Sequence, residues 1–437
     1  MVTAIYPPDF RRSVWSLRRI KSDPLAFLED LAGSPDDDIV PFSLAGRPAF
    51  LLKHPAAVEA VLVSQHDKFV KSYGLQRVRR LLGNGLLTAE GDAHRRQRNV
   101  VQPAFHRQAL ERYGEIMVRH AARARDRWQP HQTVEVSAEA GALTLAIVGE
   151  TLFGADIESL SVEVRQALMV ASDALDPLIS LLAPARRVRP QRERLAAVID
   201  DLIVRHQRSG GDRENLISLL LASQEAGPHT ITDQTRDDAL TVLLAGHDTI
   251  ATALVWTWIL LAQHPEAGAR IEQEVDALLG SRLASSADVP ALVFTRAVLS
   301  ESLRLRPPAW VVARSATADL ELGGIRIPAG SIVLISQYLM HRDRRFYSNP
   351  MAFDPDRWLD DRQAGRRKMA YFPFGAGPRS CIGEGFAWME GVLLLATFAQ
   401  RWRLKLMDLG EPIRPRPTIT LRPPPGVRMV LHERAPL

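Results

Sequence analysis

A chain of 437 residues with 46% hydrophobic content can bury a large core, and that composition excludes global disorder. Its 55 basic residues, six of them lysines, are scattered among 50 acids for a net charge of +5, without the basic stripe or interleaved aromatics of a nucleic-acid binder. A single cysteine excludes an internal disulfide. The opening stretch MVTAIYPPDFRRSVWSLRRIKSD has neither a long apolar run nor a signal-peptide core, so a soluble cytoplasmic protein without a membrane anchor is expected. No repeat, low-complexity tract or Gly/Ser linker divides the chain, and residues 1–437 read as a single domain.

In chain order, DIVPFSLAGRPAFLLKHP alternates apolar residues about an Ala-Gly-Arg-Pro turn and predicts a β-hairpin. Helical periodicity dominates from about residue 88 to residue 310, with breaks expected at LAPARRVRP, SGGD and GPHT. The stretch LELGGIRIPAGSIVLIS is rich in strand formers and carries Gly-Gly and Pro-Ala-Gly turns. TITLRPPPGVRMVLH reads as a last hairpin. The expected fold class is mainly α with small peripheral β-sheets.

The longest predicted helix opens at Thr232 or Asp233 and closes before Pro265, about 48 Å at 1.5 Å per residue. From Leu240 to Ala262 it is apolar almost all round, which fits a buried central element better than a membrane span because Asp248 sits in the middle. A carboxylate there is costly unless paired or put to use, and Gly246 gives up about 1 kcal/mol of helix propensity. The plain alternative is that Gly246 permits close helix packing and Asp248 caps a kink through Thr249.

The lone Cys381 lies in FPFGAGPRSCIGEGF. Glycines at 375, 377, 383 and 385 allow tight turns and close approach of amides to the sulfur, and Arg379 places a cation two residues away; both favour thiolate. A zinc site would need further Cys or His at short spacing, an iron–sulfur cluster several cysteines, and a phosphate loop a Lys-Ser/Thr after the glycines. There remain an inert buried thiol, a cysteine nucleophile served by one of the twelve histidines, or an axial ligand to haem iron.

FGAGPRSCIG, from Phe374 to Gly383, resembles the haem-binding signature of the cytochrome P450 family, F-x-x-G-x-R-x-C-x-G, at every fixed position, and Ala387 and Glu390 extend the match. AGHDT on the long helix, ESLR, FDPDRW and GDAHRRQR are similar to further segments of that family, in its order. The resemblance implies the cytochrome P450 fold, with the long helix crossing a haem b.

It implies that Cys381 ligates the iron as thiolate, with Phe374, Gly375 and Gly383 shaping its loop and the amides of Ile382 and Gly383 tuning the sulfur. His94, Arg98, Arg314 and Arg379 would meet the haem propionates. A widened turn at Ala245 and Gly246 would make room for O2, and Asp248 and Thr249 would deliver protons, with Ile250 standing where Thr or Ser often follows. Glu301, Arg304 and Arg357 would form a buried ion-pair network that holds the Cys381 loop, a structural and not a chemical role.

The reaction so implied is O2-dependent monooxygenation, with electrons from a ferredoxin and a ferredoxin reductase docking on Arg95, Arg96, Arg107 and GRRK, by a monomeric chain. The alternatives are a haem-binding ligand sensor or a haem-thiolate enzyme of another type, and the intact Asp248-Thr249 pair argues against both. Leu86, Leu244, Ala309, Val311 and Ile419 would line the pocket, which favours a lipophilic substrate such as a terpenoid, steroid or fatty acid. Arg77, Arg79 or Arg80 could tether an acid at the mouth, while Trp310 also reads as ordinary core.

Overall fold

The axis of the fold is one helix, Asp233–Gln263, about 46 Å long at 1.5 Å per residue. Thr232 caps it, its hydroxyl accepting from the Thr235 amide at 3.2 Å, and Pro265 opens the next helix. Its sequence is apolar all round because it is wrapped on all sides: helices Val136–Phe153, Val293–Leu305 and Glu384–Ala399 pack against it. Asp233–Gln263 and Val136–Phe153 are both long and apolar enough to cross a membrane, yet most of each is buried among its neighbours. The computed structural model describes residues 16, 18–33, 37–155, 185–208, 215–224, 227, 230–359, 367–408, 410 and 412–435.

The sheets are small and peripheral, as expected. Strands β1 (Ile39–Leu44) and β2 (Arg47–Leu52) form the first hairpin, with Ala45 and Gly46 both left-handed in its turn. With β3 (Phe69–Lys71), β5 (Val312–Ala316) and β8 (Ile332–Ile335) they make a five-stranded sheet in the order β1-β2-β8-β5-β3. A two-residue turn joins β6 (Leu320–Leu322) to β7 (Ile325–Ile327), and β4 (Thr133–Glu135) belongs to a separate three-stranded sheet.

Two expectations fail. TITLRPPPGVRMVLH is not one hairpin: β11 (Leu421–Arg422) turns back on β10 (Arg416–Pro417), whereas β12 (Arg428–Glu433) lies between β4 and β9 (Trp402–Leu406). Pro423, Pro424 and Pro425 supply no amide donors, so the segment that would zip such a hairpin cannot pair. The break at LAPARRVRP is also absent over its described part, since helix Ala185–Arg208 runs through Pro190. A proline removes only one or two backbone bonds, and the helix runs on past it. SGGD lies outside the described residues.

Residues 83–88 are fastened to the first turns of the central helix. The Asn84 amide donates to Asp237 Oδ2 at 2.7 Å and the Leu86 amide to Asp238 Oδ1 at 2.8 Å. A β-carbon at Gly85 would lie 2.2 Å from the Asp237 carbonyl oxygen, so only glycine permits this seating. Burial pushes the Asp238 carboxyl up to about 7, although the Gln234 amide and the Leu86 N–H both pull it down. The folded state therefore holds this proton more tightly than the unfolded chain, and its stabilising effect, full below about pH 4, is lost as pH rises toward 7. Asp238→Asn is expected to gain in melting temperature relative to the parent between about pH 5 and about pH 8. A difference that stays constant across that range would show that Asp238 does not titrate there.

Candidate active site

The Cys381 loop folds through two left-handed glycines, Gly375 and Gly377, and a single 3-10 turn, Gly377–Arg379. At Gly377 a β-carbon would fall 2.0 Å from the Leu62 carbonyl oxygen, so no side chain fits. The Cys381 amide donates to the Phe374 carbonyl at 2.9 Å and closes the loop, while the Phe374 ring meets Trp388 edge-on at 5.5 Å. Gly385 is not a turn glycine, contrary to expectation, since it lies within helix Glu384–Ala399. Gly383, in the turn just before that helix at φ −88°, brings its amide to the sulfur as expected.

The Cys381 thiol is accessible although protein atoms crowd around it. Burial pushes it up, with Glu384 adding to the effect, and the Gly383 N–H and Arg98 only partly offset this. Arg379 does not take the expected part in this, because its guanidinium points to the Ala89 carbonyl (2.7 Å) and the Glu90 carboxylate. The site therefore favours thiolate only when a metal cation arrives to replace the proton. Among the described residues no cluster of three or more His, Cys, Asp or Glu could hold a bare ion. One thiol beside cations suits an iron that brings its own macrocycle.

Those cations converge. Arg98 donates to the Ser380 carbonyl at 2.9 Å, and Lys71 stands opposite Arg314 in the β3–β5 register. Glu90 accepts from Arg379 and from the Lys71 amide (2.6 Å). Burial, together with Arg379, lowers Lys71 to about 7 and Arg314 to about 10. Burial, Arg379, Lys71 and Arg98 hold His94 down to about 3, so it is a neutral imidazole at pH 7 rather than the cation expected. Arg379, Arg314 and Lys71 thus act on one acid, with Arg98 and the neutral His94 beside them and the Lys71 ammonium donating to the Leu86 and Leu87 carbonyls, an excess of basic groups that fits the two carboxylates of a haem. Lys71 was not anticipated: nothing in HDKFVKS marks it, and only the sheet register reveals it.

The central helix is buried before and after residues 245–249, but Ala245 is exposed and Gly246 to Thr249 are half-buried. It faces open space there. The widened turn expected at Ala245 is absent: the helix is continuous, and the Thr249 hydroxyl donates back to the Ala245 carbonyl at 2.7 Å. Gly246 serves packing, since a β-carbon would come within 3.2 Å of Val148. Asp248 caps no kink. It pairs with Arg422 and accepts from the Thr420 hydroxyl at 2.8 Å, two partners 172 to 174 residues away that sequence reading missed.

Glu301 and Arg304 are fully buried and bidentate, both contacts at 2.7 Å. Arg357 Nε and Trp358 Nε1 also donate to Glu301, at 3.3 and 2.9 Å. Arg304 in turn donates to the carbonyls of His341, Pro350 and Ala352. The connection to the Cys381 loop is indirect, through the Phe372 amide on His341 Nε2 (3.0 Å) and the Tyr347 hydroxyl on the Ala370 carbonyl (2.9 Å).

Of the expected pocket residues, Leu86 and Leu244 are buried, Val311 and Ile419 are half-buried and Ala309 is exposed. Trp310 is core, with Nε1 donating to the Thr418 carbonyl at 2.9 Å. Arg77 is turned onto Tyr73, donating to its hydroxyl at 2.8 Å. A hollow between Arg192 and Asp237 and another beside Arg270 are lined by none of the expected site residues.

The family model described as Cytochrome P450 matches residues 13–430. The chain is 40% identical to cyclooctatin synthase of Streptomyces melanosporofaciens, over 94% of this chain and 92% of that one. Cyclooctat-9-en-7-ol 5-monooxygenase of the same organism is 36% identical, over 87% and 85%. Pentalenene oxygenase of Streptomyces avermitilis is 33% identical, over 97% and 95%. The crystal structure of the cytochrome P450DA heme domain superposes with a TM-score of 0.86 at 26% identity, covering 96% of each chain. The chain belongs to the cytochrome P450 family and is a haem b-dependent monooxygenase.

Proposed function

We propose that this monooxygenase hydroxylates a cyclic terpene at a haem ligated by Cys381, the whole of residues 1–437 acting as one domain. The observation that carries the reading is the crowded but accessible thiol of Cys381 at the end of a loop that only glycines can form. The relatives' names, cyclooctatin synthase and pentalenene oxygenase, support the terpene, as do the apolar Leu86, Leu244, Ala309, Val311 and Ile419. The overall change is C–H + O2 + 2 electrons + 2 H+ giving C–OH + H2O. Haem bound in the site supplies the reductive activation of O2.

The chain's own groups do the rest. Cys381 gives up its proton and holds the iron, with the Gly383 N–H donating to the sulfur. Arg98, Arg314, Arg379 and Lys71 supply positive charge to the propionates, and His94 acts as a neutral donor. Thr249 presents its hydroxyl oxygen to the open space while its proton rests on the Ala245 carbonyl, and Asp248 is the acid behind it. Glu301, Arg304 and Arg357 hold geometry.

Cys381→Ser is expected to keep the helical far-UV spectrum and to lose the thiolate-type Soret band of the reduced carbonyl complex together with all hydroxylation. If that band survived in the serine variant, the ligand would be another residue.

Thr249→Ala removes the hydroxyl oxygen that would accept from, and so position, a proton-donating water, an effect of the kind worth about 10²- to 10⁴-fold. O2 uptake should continue while reducing equivalents leak to hydrogen peroxide. Product formed per NADPH consumed is the readout, and an unchanged ratio would reduce Thr249 to a packing residue.

Electrons come from an acidic ferredoxin and its reductase, docking on the thiolate side. Exposed Arg95, Arg96 and Arg107 lie on helices Gly91–Val101 and Arg107–Arg127, although Arg95 is paired with Asp92 and Arg107 with Glu111. Of GRRK, Arg367 and Lys368 are described, and Lys368 pairs with Glu59 at 2.8 Å. The apparent KM for ferredoxin should rise several-fold between about 0.05 and about 0.5 M salt. A KM indifferent to salt would reject docking through these arginines.

A further inference from the structure

We propose that Arg422 and Thr420, on the Arg416–Arg422 turn that carries Ile419, are positioning residues that hold Asp248 in place for proton delivery. The proposal rests on Asp248 being the relay acid, as read above.

Both carboxylate oxygens of Asp248 are held by this one turn: Oδ1 by Arg422 and Oδ2 by the Thr420 hydroxyl at 2.8 Å. Arg422 Nε also reaches Thr420 Oγ1 at 3.2 Å, so the two holders brace each other. The pair is only a fifth to a quarter exposed, which limits screening by solvent. A carboxylate gripped at both oxygens has lost its side-chain rotation and points one way.

The turn itself cannot swing. The Leu421 amide donates to the Pro308 carbonyl at 2.9 Å, Trp256 Nε1 donates to the Leu421 carbonyl at 2.6 Å, and Trp310 Nε1 fixes Thr418. Trp256 lies on the same helix as Asp248, two turns further on, so helix and turn form one braced unit. Thr249, by contrast, is satisfied within its own helix. The division of labour is therefore plain: Thr249 faces the open space, and the acid is aimed from outside the helix by a segment that also lines the pocket.

The test compares Arg422→Gln, Arg422→Lys, Thr420→Val, Asp248→Asn and the double variant Asp248→Asn/Arg422→Gln, as holoenzymes with a [2Fe–2S] ferredoxin, its reductase and pentalenene as probe. Arg422→Gln should keep the carbonyl Soret band and consume NADPH within about threefold of the parent, while product per NADPH falls about tenfold. The lost equivalents appear as peroxide, O2 + NADPH + H+ giving H2O2 + NADP+. Thr420→Val should show the same effect more weakly, and Arg422→Lys should restore part of the coupling. The decisive arm is the double variant, whose coupling and carbonyl C–O stretching band should match those of Asp248→Asn alone, because Arg422 acts only through that acid. Unchanged coupling in Arg422→Gln, or losses that add to those of Asp248→Asn, would overturn the proposal. If the parent does not oxidise pentalenene, the terpene reading suffers, while peroxide per NADPH and the C–O band still decide the role of Arg422.

Discussion

The carboxylate of Glu301 organises the half of the molecule that presents the cysteine. It lies at zero exposure and collects Arg304, Arg357, the Trp358 indole and the Asp354 amide. Arg304 spends its remaining donors on three carbonyls between residues 341 and 352. An ion pair so deep gains stability only because every donor and lone pair is matched, and losing one partner would cost about 3–5 kcal/mol. What such a cluster provides is a unique path for a stretch of chain poor in regular structure. From it the constraint passes through His341 and Tyr347 to the backbone just ahead of the Cys381 loop.

A second group of buried charges obeys the opposite logic. Around Glu90 the cations outnumber the acid, and burial drives Lys71, His94 and Arg314 toward their neutral forms. Cys381 is likewise pushed toward the neutral thiol. Cation and thiol sites are both waiting for charge of the other kind, carboxylates for one and a metal for the other. A haem brings both, so binding it relieves two desolvation costs at once. The contrast separates a structural charge cluster, closed on itself, from a binding one, open by a fixed number of charges.

How much of this could be read beforehand depended on distance along the chain. The Cys381 loop and the Glu301–Arg304 pair are short local patterns, so both were legible through the resemblance to the family's motifs. The central helix was legible too, from its length, its cap and its apolar circumference. Lys71 beside Arg314, and Arg422 beside Asp248, are products of tertiary packing between segments far apart, and no spacing rule encodes them. The failed hairpin shows the same limit in reverse. Local alternation in TITLRPPPGVRMVLH suggested that neighbours pair, and Val134 and Leu406 competed successfully for Met429. Pro190 misled because a helix can continue through a proline at the loss of one or two backbone bonds.

The seating of residues 83–88 on the central helix has a consequence for selection of substrates. With glycine at positions 83 and 85 the backbone lies so close to Asp237 that there is no gap for it to settle further, and two carboxylates grip its amides. Such a contact cannot yield by fractions of an ångström; it is either fully made or broken outright. With Leu86 lining the substrate pocket, as proposed above, that wall would be a stencil and not a cushion. It would sort molecules by outline, with misfits turned away by hard contact, while any accommodation to differing shapes is left to other walls.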